Sequence, residues 1–160
     1  MYIQFDEYTA LYDPIEERDF NRLAFEACRA IDRLTAGLDG VKKLRVAFPT
    51  DEDDAAAVKY CTCKVINILY QIQEAEKSAF LARGYTETEN GVQGKVVSSV
   101  TAGNESISYA SGVGATAVDK AITDIAERNR LICNIVRDCL SGASDANGVN
   151  LLYMGVYPRV

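Results

Sequence analysis

The chain of 160 residues has no histidine and no tryptophan. Without histidine there is no Ser-His-Asp or Cys-His activation of a nucleophile, and the commonest general base near neutral pH is missing. No apolar run approaches the roughly 20 residues that a membrane-spanning helix needs. The start, Met1-Tyr-Ile-Gln-Phe-Asp-Glu7, lacks the basic opening and apolar centre of a secretory signal, so synthesis in a cytoplasm is expected. Bases are outnumbered by acids, 17 to 23, for a net charge of −6. That balance argues against nucleic acid as the main ligand, because phosphate binding rests on clustered Lys and Arg. Lys42-Lys43-Leu44-Arg45 is the one tight basic group; such a group is ordinarily a solvated loop, and no role is assigned to it.

The acids offer pairs such as Glu16/Glu17 and the run Asp51-Glu-Asp-Asp54, with Asp138 further on. Paired carboxylates can hydrolyse glycosides, but only across a deep cleft at a defined separation. Here they stand at helix starts. In the run at 51–54, Thr50 is expected to cap and the carboxylates to meet the positive end of a helix dipole. No glycine-containing calcium-loop spacing accompanies them. Five cysteines occur, at 28, 61, 63, 133 and 139. Cys61 and Cys63 would point about 200° apart on a helix and could not chelate together. Cys28, Cys61 and Cys139 fall on apolar helical faces, where a thiol behaves as a small hydrophobe. No catalytic residue, metal or cofactor is expected.

What is present is helical periodicity in a chain of ordinary globular composition, 48% hydrophobic and 25% charged, read as one domain over residues 1–160. Asp13-Pro14-Ile15-Glu16 predicts a helix opening. Phe20, Leu23, Ala24, Ala27, Cys28, Ile31 and Leu34 then mark one face, and Gly37 and Gly40 end it. Leu38 to Phe48 reads as a connector. A second, long helix is predicted from Asp51 to about Arg83, with a stripe at Val58, Cys61, Val65, Leu69, Ile72 and Ala79. Ala55, Tyr60, Ile66, Ile68 and Tyr70 are apolar on its other sides, so it is either central or touches a neighbouring subunit. From Gly84 the composition turns to Gly, Ser, Thr, Glu and Asn. Lys95–Thr101 and Glu105–Tyr109 read there as two strands joined by Ala102-Gly103-Asn104. A third helix is predicted from Ala115 to Leu140, on Val118, Ile122, Ile125, Ile132, Val136 and Cys139. A short fourth is placed near Gln4–Tyr12.

The fold expected is mainly α. It is a small helical bundle of three to four helices with an inserted β-hairpin at about 94–110 and an extended C-terminal tail at about 142–160. Phe20, Leu23, Ile31, Val65, Leu69, Ile72, Ile125, Ile132 and Val136 should be core. The ending, Asn150-Leu-Leu-Tyr-Met-Gly-Val-Tyr-Pro-Arg-Val160, is mostly apolar, yet Gly155 and Pro158 prevent a helix or strand long enough to bury it locally. It must find a pocket on its own bundle or on another molecule. The interface residues expected are Val97, Val100, Ile107 and Tyr109 in the hairpin and Leu151, Tyr153, Met154 and Tyr157 in the tail, with local packing as the alternative for each.

Three segments together resemble the head–tail connector proteins of tailed bacteriophages, also called head-completion or adaptor proteins. The helix Glu17-Arg-Asp-Phe-Asn-Arg-Leu-Ala through Ile31-Asp-Arg-Leu-Thr35 is similar to the family's first long helix, which ends in Ile-Asp-x-x-Thr. Val97-Ser-Ser-Val-Thr-Ala-Gly-Asn-Glu-Ser-Ile-Ser-Tyr109 resembles the family's hairpin. Leu151-Leu-Tyr-Met-Gly155 resembles its closing Leu-x-Tyr-x-Gly. The hairpin turn departs from the family in reading Ala-Gly-Asn, and the last loop in reading Ala-Ser-Asp-Ala-Asn. The resemblance implies a structural subunit at the head–tail junction of a virion. It would form a homo-oligomeric ring matched to a twelvefold portal, bind the portal above and a tail-completion protein below, and let DNA pass without specific binding or any membrane. An isolated subunit could stay monomeric until a portal templates it. An acidic channel lining would suit passing DNA. The rival expectation is an unrelated cytoplasmic helical adaptor that binds a partner through its apolar tail.

Overall fold

A computed structural model describes residues 1–82, 85–88, 91–94, 101–102, 105–106 and 117–158. The chain is mainly helical. The elements run α1 Phe5–Thr9, α2 Glu17–Leu34, α3 Lys43–Val46, α4 Glu52–Ala82, the short strands β1 Tyr85–Thr88, β2 Gly91–Gly94, β3 Thr101–Ala102 and β4 Glu105–Ser106, then α5 Ala117–Thr123 and α6 Ile125–Cys139. Helix α4 is the hub, packing against α2, α5 and α6. Cys61, Thr62, Cys63, Val65 and Ile66 are all fully buried on it, so neighbours cover it on several sides. That accounts for the apolar residues beyond a single stripe.

The helix starts differ from the sequence expectation in informative ways. Residues 13–16 lie outside α2, and Glu16 is its extended N-cap with no side-chain bond. Glu16 is extended, at φ −60° and ψ 134°, so the helix starts only at Glu17. Asp51, not Thr50, caps α4: its Oδ1 accepts from the amides of Asp53 at 3.0 Å and Asp54 at 3.2 Å. The expected helix 115–140 is two helices. Asp124 is extended between them, at φ −131° and ψ 117°, and its carboxylate accepts from the Ala126 amide at 2.7 Å. This cap restarts the helix and resets its phase. Ile125, expected in the core, is therefore 74% exposed at the first position of α6.

Most of the expected core is where the periodicity put it. Phe20, Leu23, Ile31, Val65, Ile72, Ile132 and Val136 are buried, and Leu69 is half-buried. The first residues complete one end of the core. Glu7 accepts from the Gln4 amide at 2.8 Å, fixing the first turn of α1. Phe5 and Tyr8 then meet Phe20 with ring centroids 5.2 and 5.6 Å apart. The Tyr8 hydroxyl is buried there without a hydrogen-bond partner among the described residues.

Two short antiparallel pairs lie between α4 and α5: β1 with β2, and β3 with β4. The hairpin expected over about 94–110 is not seen as an element of that length. Among the described residues from 101 to 106, Thr101 stands opposite Ser106 and Ala102 opposite Glu105, so Ala102, expected in the turn, is part of a strand. Val97, Val100, Ile107 and Tyr109 lie outside the described residues.

Candidate assembly site

The closing segment is not one extended run. Gly142, at φ +89°, turns the chain after α6 in a conformation that favours glycine. Ser144 then donates its amide to Asp54 Oδ2 at 3.0 Å, tying the turn to the start of α4. Ser144 bridges to Asn150, and the Leu151 amide donates to the Ala143 carbonyl at 2.8 Å. The loop between is organised by Asp145, which is buried. Its Oδ1 accepts from the amides of Asn147 and Val149, each at 2.9 Å, and its Oδ2 from the Tyr157 hydroxyl at 2.6 Å.

Lys43 holds the rest. It opens the single turn α3 and is fully buried. Its Nζ donates to the carbonyls of Asn150 at 3.1 Å, Leu151 at 3.0 Å and Tyr153, and lies 5.6 Å from the Tyr153 ring centroid. An ammonium has three protons, and here each meets a backbone oxygen. Burial pushes the Lys43 pKa down, against an opposing pull from Asp145 and Asp39. Further along, the Leu38 amide donates to the Gly155 carbonyl at 3.2 Å, and the Tyr157 amide to Asp39 Oδ2 at 3.0 Å. Gly37 permits this crossing, since a Cβ there would stand 2.5 Å from the Gly155 oxygen.

The same basic group also anchors α2. Arg45 pairs with Asp32 at 2.5 Å, and the Tyr2 hydroxyl donates to the same carboxylate, which is buried on α2. Burial, followed by that bond to Asp32, raises the Tyr2 pKa. Leu44 between them is core. The expectation of a solvated loop at 42–45 is therefore corrected. Lys43 faces the tail, Arg45 faces α2, and Leu44 enters the bundle.

The tail residues singled out from sequence divide into two kinds. Leu151 and Tyr157 are buried against their own chain, Leu151 fully. Tyr153 and Met154 are exposed, as are Val156 in the same segment and Leu38 beside Gly155. The clasp thus presents a fixed apolar edge. Sequence reasoning missed Lys43 altogether. One signal for it existed: a segment interrupted by Gly155 and Pro158 cannot satisfy its carbonyls by regular pairing, so a convergent donor had to come from elsewhere.

Among the described residues, no group of acidic or cysteine side chains is arranged to hold a metal ion, and no helix is long and apolar enough to cross a membrane. Comparison with protein-family models, curated proteins and solved structures found no match.

Proposed function

We propose that this chain is a structural assembly subunit of the phage head–tail connector type. It would form a ring that docks under a portal, extends the DNA channel and receives the next tail component at the head–tail junction of a virion, with no catalytic step of its own. The observation that carries this reading is the clasped C-terminal segment. Tyr153, Met154 and Val156 are exposed on a backbone pinned by Lys43, Asp39 and Gly37. Fixing an apolar edge in advance lowers the ordering cost of binding, which is what an assembly contact requires. Apolar residues at 151–155 also carry part of the family resemblance, and the mainly helical architecture agrees with it. The inserted hairpin at about 94–110, with Val97, Val100, Ile107 and Tyr109, belongs to the same proposal as a second contact.

The reading is tested by gradient co-sedimentation with the portal protein encoded in the same genome. Wild type should travel with portal rings. The double variant Tyr153→Glu/Met154→Glu should melt near the wild-type temperature but stay at the top of the gradient. A wild-type protein that never travels with the portal favours the unrelated adaptor.

A further inference from the structure

Between the end of α2, the face of α6 and the clasp lies a groove of about 810 Å³. Leu34, Val136, Leu152 and Met154 supply apolar lining, and Arg33 and Arg137 supply guanidinium groups. Both arginines are exposed, and neither forms an ion pair among the described residues, whereas Arg22, Arg45, Arg128 and Arg130 each do. Asp138 also lines the groove and pairs with neither, so these three groups leave a net charge of +1 there (two bases less one acid). In a chain whose net charge is −6, this is a local excess of positive charge beside apolar surface.

The complement is carried by the same chain on residues the groove does not use. Glu52 and Asp53, in the first turn of α4, are exposed and form no ion pair among the described residues. Shortly before them Val46 is 64% exposed. We propose that the arginine-flanked groove receives this acidic first turn of α4, with Val46 beside it, from a second copy of the chain. The biological setting rests on the subunit reading above; the contact itself does not. Arg33 and Arg137 would meet the two carboxylates in charge-assisted, fork-shaped bonds, for which guanidinium is better suited than ammonium. Groove and turn share no residue, so each copy can give its turn to one neighbour and its groove to another. Used that way the contact is heterologous and continues to a ring or a filament, whereas mutual exchange between two copies would close a pair.

Analytical ultracentrifugation of the full chain at high micromolar concentration tests this. Wild type in about 0.1 M salt should show species larger than a monomer. They should dissociate towards about 1 M salt, where the screening length falls from about 10 to about 3 Å. The neutral variants R33Q/R137Q and E52Q/D53N should each sediment as monomers with near wild-type melting. Mixed in equal amounts they should form a one-to-one dimer that grows no further, since one retains the turn and the other the groove. The proposal is overturned by a wild type that stays monomeric in low salt, by R33Q/R137Q associating like wild type, or by a mixture that yields no dimer. The outcome separates from the connector reading. Groove-dependent association without portal binding removes the connector and keeps the groove. Portal binding with undiminished association of R33Q/R137Q does the reverse.

Discussion

Replacing Lys43 with methionine keeps the length and much of the volume of the side chain and removes its charge and its three donors. The Asn150 carbonyl also accepts from the Tyr153 amide at 3.0 Å, so it keeps a partner. The carbonyls of Leu151 and Tyr153 have no other donor among the described residues. The bond to Leu151 is buried and the one to Tyr153 part-buried, so orphaning the Leu151 carbonyl costs about 1–3 kcal/mol and orphaning the Tyr153 carbonyl up to about as much. Part of this is offset, because the ammonium no longer has to be desolvated. The net loss should be about 3 kcal/mol. In a chain of this size each kcal/mol shifts the melting temperature by about 2–4 °C, giving a drop of about 6–12 °C. Lys43→Arg should also lose stability, since its planar fork spreads its donors over three nitrogens and cannot offer three from one point to the converging carbonyls. Thermal melting by circular dichroism at neutral pH is the assay, with the exposed Lys42→Met as the control. Lys43→Met melting with Lys42→Met and wild type would refute the clasp as a source of stability.

Other perturbations probe the remaining contacts. Gly37→Ala drives a methyl into the Gly155 carbonyl and should cost about 1–3 kcal/mol by chemical denaturation. Tyr8→Phe removes a buried hydroxyl that has no partner among the described residues, so it should be neutral or stabilise by up to about 1 kcal/mol, a rise of a few degrees in melting temperature. Ile125→Gln should stay within about 0.5 kcal/mol of wild type because the side chain is exposed, whereas Ile132→Ala in the core should lose about 2–5 kcal/mol. Burial pushes the Cys63 thiol up to about 11 from an ordinary 9.0, and burial with the bond to Asp145 raises Tyr157. Both groups keep their protons in the folded state after the unfolded chain has lost them. Their stabilisation is complete below about pH 9 and should fade as pH climbs through about 11, seen as a falling melting temperature. Lys43 acts with the opposite sign, its folded pKa lying below the ordinary 10.5, so the fall should be steeper in Lys43→Met.

The parts of the fold legible from sequence were those governed by local periodicity. Helix α2 and the central α4 bury the residues their spacing selects, because an amphipathic stripe in a helix has few other ways to leave water. The break at Asp124 was not legible. Apolar rhythm continues across it, and only the carboxylate's choice of the Ala126 amide ends one helix and starts the next. The tail was legible as a segment needing a pocket, but not whose pocket. Its partners, Lys43 and Asp39, lie more than a hundred residues away, and nothing local marks a lysine for burial. The basic group at 42–45 looked like a solvated loop because lysine and arginine usually are solvated. Here the unsatisfied carbonyls of an irregular segment and the buried carboxylate of Asp32 outweigh that tendency.

The assembly reading meets its most direct test in electron microscopy of the protein mixed with the portal encoded in the same genome. Added ring density should appear beneath the portal, coaxial with its channel, and the α2–α4–α6 bundle should fit into it. The clasp edge at Tyr153, Met154 and Val156 should lie against a neighbouring copy or the portal. Undecorated portals at saturating protein would contradict it.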